Sequence, residues 1–154
     1  MPGLNAAFVD VGFEKDAFLH YTDLSPYVKS LLKFTQHNIE WKGAEPFDFA
    51  RFGVEPEIVK TGKVTEVLNG KPNILVQILK EPIAAKGPRL SCEISLPGRF
   101  VVLTPFNDVV AVSKKIHSSD ERRRLQRIID SIKPKNFGVI VRTAAEDKNT
   151  AELH

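Results

Sequence analysis

The sequence predicts an α+β chain, mainly β, built as two small consecutive units. Three observations predict it. Short apolar stretches with period-two alternation recur along most of the 154 residues. Two segments replace that alternation with apolar residues three and four apart, the spacing of an amphipathic helix. At Pro97-Gly98 the texture changes: a mostly β unit with a small helix precedes it, and a β-β-α-β unit follows.

Residues 6–11 and 17–21 read as strands joined by Gly12-Phe13-Glu14-Lys15-Asp16. Alternation places Phe8 with Asp10, and Phe18 with His20, opposite Ala7, Val9, Leu19 and Tyr21. Ser25-Pro26 predicts a helix start, an N-cap serine followed by proline at the first helical position, and Val28, Leu31 and Leu32 continue it. From Thr35 to Lys60 no period is visible. Trp41, Phe47, Phe49 and Phe52 lie there among glycines and prolines, so the segment reads as an insertion whose rings anchor it to a core. Residues 74–80 predict a strand after the turn Asn69-Gly70-Lys71-Pro72, and residues 89–96 predict a half-buried one, with Leu90, Cys92, Ile94 and Leu96 facing inward. Residues 99–103 and 109–112 predict a strand pair around Pro105-Phe106-Asn107-Asp108. Ser118 to Glu121 has the S-x-x-E form of a capping box, and Leu125, Ile128, Ile129 and Ile132 make the stripe of a helix over residues 119–132. Residues 138–143 predict the last strand, and the polar tail from Asp147 is expected to fray.

Hydrophobic residues are 42% and charged residues 27% of the chain, a globular composition. Lys plus Arg number 22 against 19 acidic residues, a surplus too small to identify a polyanion partner by itself. Its distribution says more: Lys114, Lys115, Arg122, Arg123, Arg124 and Arg127 crowd one segment, opposed by Asp120 and Glu121. Cys92 is the only cysteine, which excludes an internal disulfide and a multi-cysteine zinc site within one chain and points to a reducing compartment. No stretch reaches the roughly 20 apolar residues of a bilayer span, and no basic segment leads into an apolar run at the N-terminus. No membrane association and a cytoplasmic location are expected. The chain opens almost at once in a strand interior to a sheet, so it is expected to be a piece of a longer protein.

Four features can carry chemistry. Phe8 and Phe18 on adjacent strands can each stack a base if their face is exposed; the alternative is that both fill the core of a small barrel. Lys86-Gly87 with Arg89 can set cations against phosphates, or form only a solvated turn. Arg142-Thr143, at the end of the apolar Val139-Ile140-Val141, offers a planar fork and a hydroxyl to a terminal phosphate. The alternative there is a surface arginine paired with Glu146 or Asp147. The basic helix face either contacts a polyanion or is simply solvated. The chain has no G-x-x-x-x-G-K-[ST] loop and no H-E-x-x-H motif, and its four histidines show no ligand spacing.

These blocks converge on one family. A-A-F-V-D-V-G-F-E-K-D-A-F-L (residues 6–19), K-G-P-R-L-S-C-E-I-S-L-P-G-R-F-V-V-L (86–103), V-S-K-K-I (112–116) and V-I-V-R-T-A-A-E (139–146) closely resemble the ribonuclease E/G family, in the same order; residues 22–72 match poorly. The resemblance implies a partial OB-fold RNA-binding barrel over residues 1–96, with an insertion at about 22–72, then a β-β-α-β 5′-sensor subdomain over 97–154. It puts Phe8, Phe18 and Lys86 at RNA-contacting positions, with Lys114 and Lys115 added from the basic segment. Gly98, Val102, Arg142 and Thr143 fall on the pocket for a 5′-monophosphate. The implied parent is a Mg²⁺-dependent endoribonuclease of single-stranded RNA, homo-oligomeric, with a structural zinc shared between subunits. The barrel's first strand and the nuclease domain with its metal-binding aspartates are expected to lie outside this chain, which should hold no cofactor and not cleave alone. Two rival readings are a stand-alone OB-fold RNA-binding module and an assembly domain with the basic helix against a protein.

Overall fold

The computed structural model describes residues 2–41, 43, 46–83 and 87–154. The chain divides into two units, one of Met1–Glu45 with Gly53–Ile94, the other of Pro46–Phe52 with Ser95–His154. Each holds one four-stranded sheet, so the architecture is mixed α/β and mainly sheet. Among the described residues no helix is long and apolar enough to cross a membrane.

In the first unit, β1 (Ala6–Val9) and β2 (Ala17–His20) pair antiparallel with Phe8 opposite Phe18. Ala17 and Leu19 turn to the core with Leu90 and Leu31, all essentially without solvent contact. Helix α1 (Val28–Glu40) differs from expectation at both ends. Ser25 Oγ accepts the N–H of Tyr27 at 3.1 Å, and the Val28 N–H reaches the Ser25 carbonyl at 3.0 Å. Ser25-Pro26 therefore closes a turn ahead of the helix instead of opening it. The helix also continues past Thr35, where the apolar period stops. Its second half is solvent-facing, and side chains bond one turn back: Thr35 Oγ1 to the Leu31 carbonyl and Asn38 Nδ2 to the Phe34 carbonyl, each at 2.8 Å. Such a polar half-helix has no stripe to read.

Two short elements follow, α2 (Val64–Val67) and β3 (Gln77–Lys80), then β4 (Arg89–Ser91). Asn5, at a positive φ of 49°, fastens the segment before α2: Nδ2 donates to the Gly62 carbonyl at 3.0 Å and Oδ1 accepts the Val64 N–H at 2.7 Å. The sheet order is β1-β2-β4-β3, with β2 and β4 parallel and the other pairs antiparallel.

The single strand expected over residues 89–96 is divided. After Ser91 the Cys92 N–H leaves the ladder for the Asp23 carbonyl at 3.0 Å, and Leu96 is 53% exposed instead of inward. Cys92 itself is buried, and that burial, with Asp23 nearby, pushes its thiol up to about 12. The thiolate is the reactive form. Native protein at neutral pH should therefore resist a maleimide or disulfide reagent until it unfolds; rapid stoichiometric labelling of folded protein would refute that placement.

In the second unit, β5 (Leu96–Pro97), β6 (Val101–Pro105), β7 (Val110–Val112), helix α3 (Ser119–Ile132) and β8 (Phe137–Val141) form a sheet ordered β5-β6-β8-β7. The expected β6–β7 hairpin is absent. Instead β8 lies between them, antiparallel to β6 and parallel to β7. A parallel neighbour requires a crossover, and α3 supplies it between β7 and β8. Phe106, buried at a positive φ of 69°, turns the chain out of β6, with its N–H on the Asn136 carbonyl at 2.8 Å. Leu125 and Ile129 enter a core with Val112, Ile116, Val139, Val141, Ala145 and Leu153. Gly138 admits no side chain: an added Cβ would lie 2.6 Å from Thr104 Oγ1 and nearer still to the Asn107 side chain.

Half of the expected capping box forms. Ser118 Oγ accepts the Glu121 N–H at 3.3 Å, but the Glu121 carboxylate takes Arg124 at 2.7 and 2.6 Å and the Asp147 N–H at 2.9 Å. Chiefly through the Arg124 hydrogen bonds, with the Asp147 N–H adding to them, its pKa falls from 4.5 to about 2. The folded-state value is the lower one, so the stabilisation is complete above about pH 4.5 and fades as pH falls towards 2. Because Arg124 is partly solvated, the loss should be about 1–2 kcal/mol. An acid thermal-melt series should flatten by that amount in Glu121→Gln; identical slopes would refute the assignment.

The tail does not fray. Residues Thr150–Leu153 form a short helix, α4, capped by Asn149 Oδ1 on the Glu152 N–H at 3.0 Å, and Leu153 closes the core. The aromatic segment 46–52 is not part of the first unit. Phe49 packs on Phe137 and Phe52 on Phe106, with ring centroids 4.9 and 5.4 Å apart. Asn136, buried at φ 63°, donates from Nδ2 to the carbonyls of Phe49 and Phe52 at 2.7 and 3.0 Å.

Candidate nucleic-acid interface

The pairing of β1 with β2 decides between the two readings of the rings. Phe8 is 57% and Phe18 42% exposed, so neither fills a core. Their centroids are 6.0 Å apart with planes at 73°, an edge-on pair on the face opposite Ala17 and Leu19. Carrying two exposed rings side by side is an unfavourable use of apolar area unless something covers them.

The same cross-strand row continues onto cations. Phe18 is in register with Arg89 on β4, and Arg89 with Lys80 on β3. The ladder slips by one residue between Ile78 and Lys80; regular pairing would set Leu79 against Arg89. A bulge of this kind re-aims a side chain, and here it brings Lys80 to the row. Phe8, Phe18, Arg89 and Lys80 thus cross the four strands in order, all exposed. Beside the rings lies an open groove of about 850 Å³, bordered by the cations Lys15 and Arg89, by Thr22 and Gly87, and by the carboxylates of Asp16 and Asp23.

Lys86, expected at this interface, lies outside the described residues. Gly87 has a structural reason to be glycine: an added Cβ would stand 2.7 Å from the Asp16 carbonyl oxygen. The close approach that it permits here is to backbone. Lys80 was not identified from sequence, because nothing in the local pattern signals a one-residue slip.

In the second unit, Gly98, Val102 and Arg142 come together. Gly98 opens the β5–β6 turn, its N–H on the Val101 carbonyl at 2.8 Å. Val102 pairs with Pro97 on one side and Ile140 on the other. Arg142 follows β8, its N–H on the Phe100 carbonyl at 2.8 Å, and its Nη1 donates to the Gly98 carbonyl at 2.7 Å. No ion pair joins Arg142 to Glu146 or Asp147 among the described residues, so one face of an exposed guanidinium is held and the rest is available. Thr143 comes next, exposed, at the start of the 3-10 turn Thr143–Ala145.

Lys114 and Lys115 are exposed in the turn after β7. Much of the arginine cluster on α3 is engaged within the unit. Arg122 Nη1 donates to the carbonyls of Ser113 and Ile116 at 2.6 and 3.4 Å, Arg123 pairs with Asp120 at 2.5 Å, and Arg124 with Glu121. Among the described residues no three His, Cys, Asp or Glu side chains come together as metal ligands.

Comparison with known proteins adds three findings. Residues 95–154 match the model of the ribonuclease E/G family. The chain is 39% identical over 149 residues to ribonuclease E of Nostoc sp., 96% of this chain and 18% of that protein. It is 33% identical over 153 residues to ribonuclease G of Escherichia coli and 35% over 153 to that of Haemophilus influenzae, in each case 99% of this chain and 27% of the relative. The chain therefore spans about a fifth to a quarter of the length of these relatives, and the alignments extend across residues 22–72.

Proposed function

The chain belongs to the ribonuclease E/G family, and from that premise we propose that it is the substrate-gripping part of an endoribonuclease acting on single-stranded RNA and favouring a 5′-monophosphate end. The observation that carries the reading is the exposed row of Phe8, Phe18, Arg89 and Lys80. An unpaired strand offers both kinds of group that this row can hold. Its bases stack on rings without regard to sequence, and its phosphates meet the cations. A duplex hides its base faces and has no use for the rings.

An OB-type barrel is the reading of the first unit that fits best. Such a barrel is a five-stranded, partly open Greek key that binds oligonucleotides on one strand face. The order β1-β2-β4-β3 with one parallel pair supports it, and so does the ring-bearing face.

The second unit is read as the sensor of the 5′ end. Arg142, fixed through the Gly98 carbonyl, presents its remaining N–H groups to a terminal phosphate, and the Thr143 hydroxyl adds a donor. A terminal monophosphate carries more charge and more free oxygens than an internal diester, so this pair favours it. Gly98 and Val102 bound the space for the terminal nucleotide. Mg²⁺ for strand cleavage and a structural zinc are expected of the longer enzyme; among the described residues no three His, Cys, Asp or Glu side chains come together to hold either ion. The purified chain with Mg²⁺ should leave RNA uncut.

The test is a pair of affinities. A 5′-monophosphorylated oligonucleotide should bind tighter than its 5′-hydroxyl twin, and the difference should vanish in Arg142→Ala. Equal binding of both RNAs, unchanged by that substitution, would leave only a general RNA-binding module.

A further inference from the structure

The basic side of α3 has no part in the function proposed so far. Arg123 and Arg127 stand four residues apart and so share one helix face. They border two shallow grooves in common: one of about 320 Å³ on the β7 side, with Val112, Arg122 and Gln126, and one of about 480 Å³ on the other, with Asp120, Arg124 and Ile128. The charges here are not balanced. Asp120 and Glu121 are taken up by Arg123 and Arg124. Arg122 bonds only to carbonyls, which leave its charge uncompensated. Arg127, Lys114 and Lys115 have no carboxylate partner among the described residues. The grooves contain no aromatic ring, so nothing in them can stack a base.

We infer that this face of α3 is a second RNA contact, which takes internal phosphodiesters of the strand through Arg127, joined by Arg123 where it exchanges Asp120 for a phosphate, with Lys114 and Lys115 adding charge, and does so without regard to base or to the state of the 5′ end. It rests on the proposed reading that the ligand is RNA, but on residues that neither the ring row nor the 5′ pocket uses. Gln126 helps to hold the helix to the sheet, its amide 3.4 Å from the Val110 carbonyl. An acidic protein surface would meet the same cations, but without the condensed counterions of a nucleic acid its binding would fall less steeply with salt.

The test uses the full chain and a 5′-hydroxyl oligouridylate, titrated by fluorescence anisotropy over a range of salt. Arg127→Gln should weaken binding roughly two- to fivefold and lower the slope of log affinity against log salt by about 0.7 for each phosphate that is no longer held. Asp120→Asn releases Arg123 while leaving the Ser118 cap in place, and should strengthen binding. The preference for a 5′-monophosphate should stay the same in both variants. Unchanged affinity and slope in both would overturn the inference, as would a weakening confined to 5′-phosphorylated RNA. If the α3 variants are silent while Phe8→Ala and Phe18→Ala weaken binding, only this inference falls. If the ring variants are silent while the α3 variants shift affinity, the ring row falls and this contact stands.

Discussion

Replacing Phe8 and Phe18 together by alanine should weaken binding of an unstructured oligonucleotide by about 2–4 kcal/mol, given about 1–3 kcal/mol for each stacked base. That is a loss of roughly thirty- to a thousandfold in affinity. The two rings touch each other, so single substitutions are not expected to sum to the double one. Because both rings are exposed, the melting temperature should hardly move. Leu19, on the opposite face and fully buried, is the contrast. Its replacement by alanine should cost about 2–5 kcal/mol of stability, while the RNA affinity of the protein that remains folded stays near normal. If the double ring variant melts early and binds RNA normally, the assignment of the two faces is reversed.

Arg142→Ala has the next largest expected effect, and it is one of selectivity. Hydrogen bonds to a charged group contribute about 1.5–3 kcal/mol each, so the ratio of affinities for 5′-monophosphate over 5′-hydroxyl RNA should collapse by about ten- to a hundredfold. Affinity for the 5′-hydroxyl strand should be almost untouched. Arg142→Lys keeps the charge but loses the fork that bonds the Gly98 carbonyl, and it should recover only part of the ratio. Full recovery by lysine would mean that charge alone is read there. Thr143→Val, which removes only the hydroxyl, should lie between wild type and Arg142→Ala.

Much of this was legible in the sequence wherever local chemistry and tertiary structure agree. The β1–β2 hairpin follows from alternation, and its register sets the rings opposite each other. Ser118 and the stripe through Leu125 and Ile129 delimit α3 residue for residue. The misses share one physical cause, that partners distant in sequence redirect a locally ambiguous segment. β6 and β7 have the pattern of a hairpin, but the insertion of β8 between them depends on a helix that comes later. Residues 89–96 alternate cleanly, yet the Cys92 N–H finds the Asp23 carbonyl and the strand is cut in two. The tail is polar, and only the pairing of Asn149 with Glu152 and the seat for Leu153 make it helical. Phe49 and Phe52 did mark an anchored segment, but nothing local names Asn136, 87 and 84 residues away, as the group that receives it.

The candidate site shows the same division. Residue type and alternation were enough to single out Phe8, Phe18 and Arg142. Whether the rings face solvent, and whether the arginine is taken by a carboxylate, are questions about neighbours that the sequence left open. Lys80 reaches the row only because the ladder slips by one residue, and a period-two pattern carries no trace of that.

The most direct measurement is an aromatic ¹H–¹³C NMR titration of the chain with a 5′-monophosphorylated single-stranded oligonucleotide. The ring signals of Phe8 and Phe18 should move upfield together, saturating with the binding curve, while those of Phe49 and Phe137 in the second unit stay in place. RNA that binds and leaves both sets of ring signals unmoved would contradict the claim that stacking on this face holds the strand.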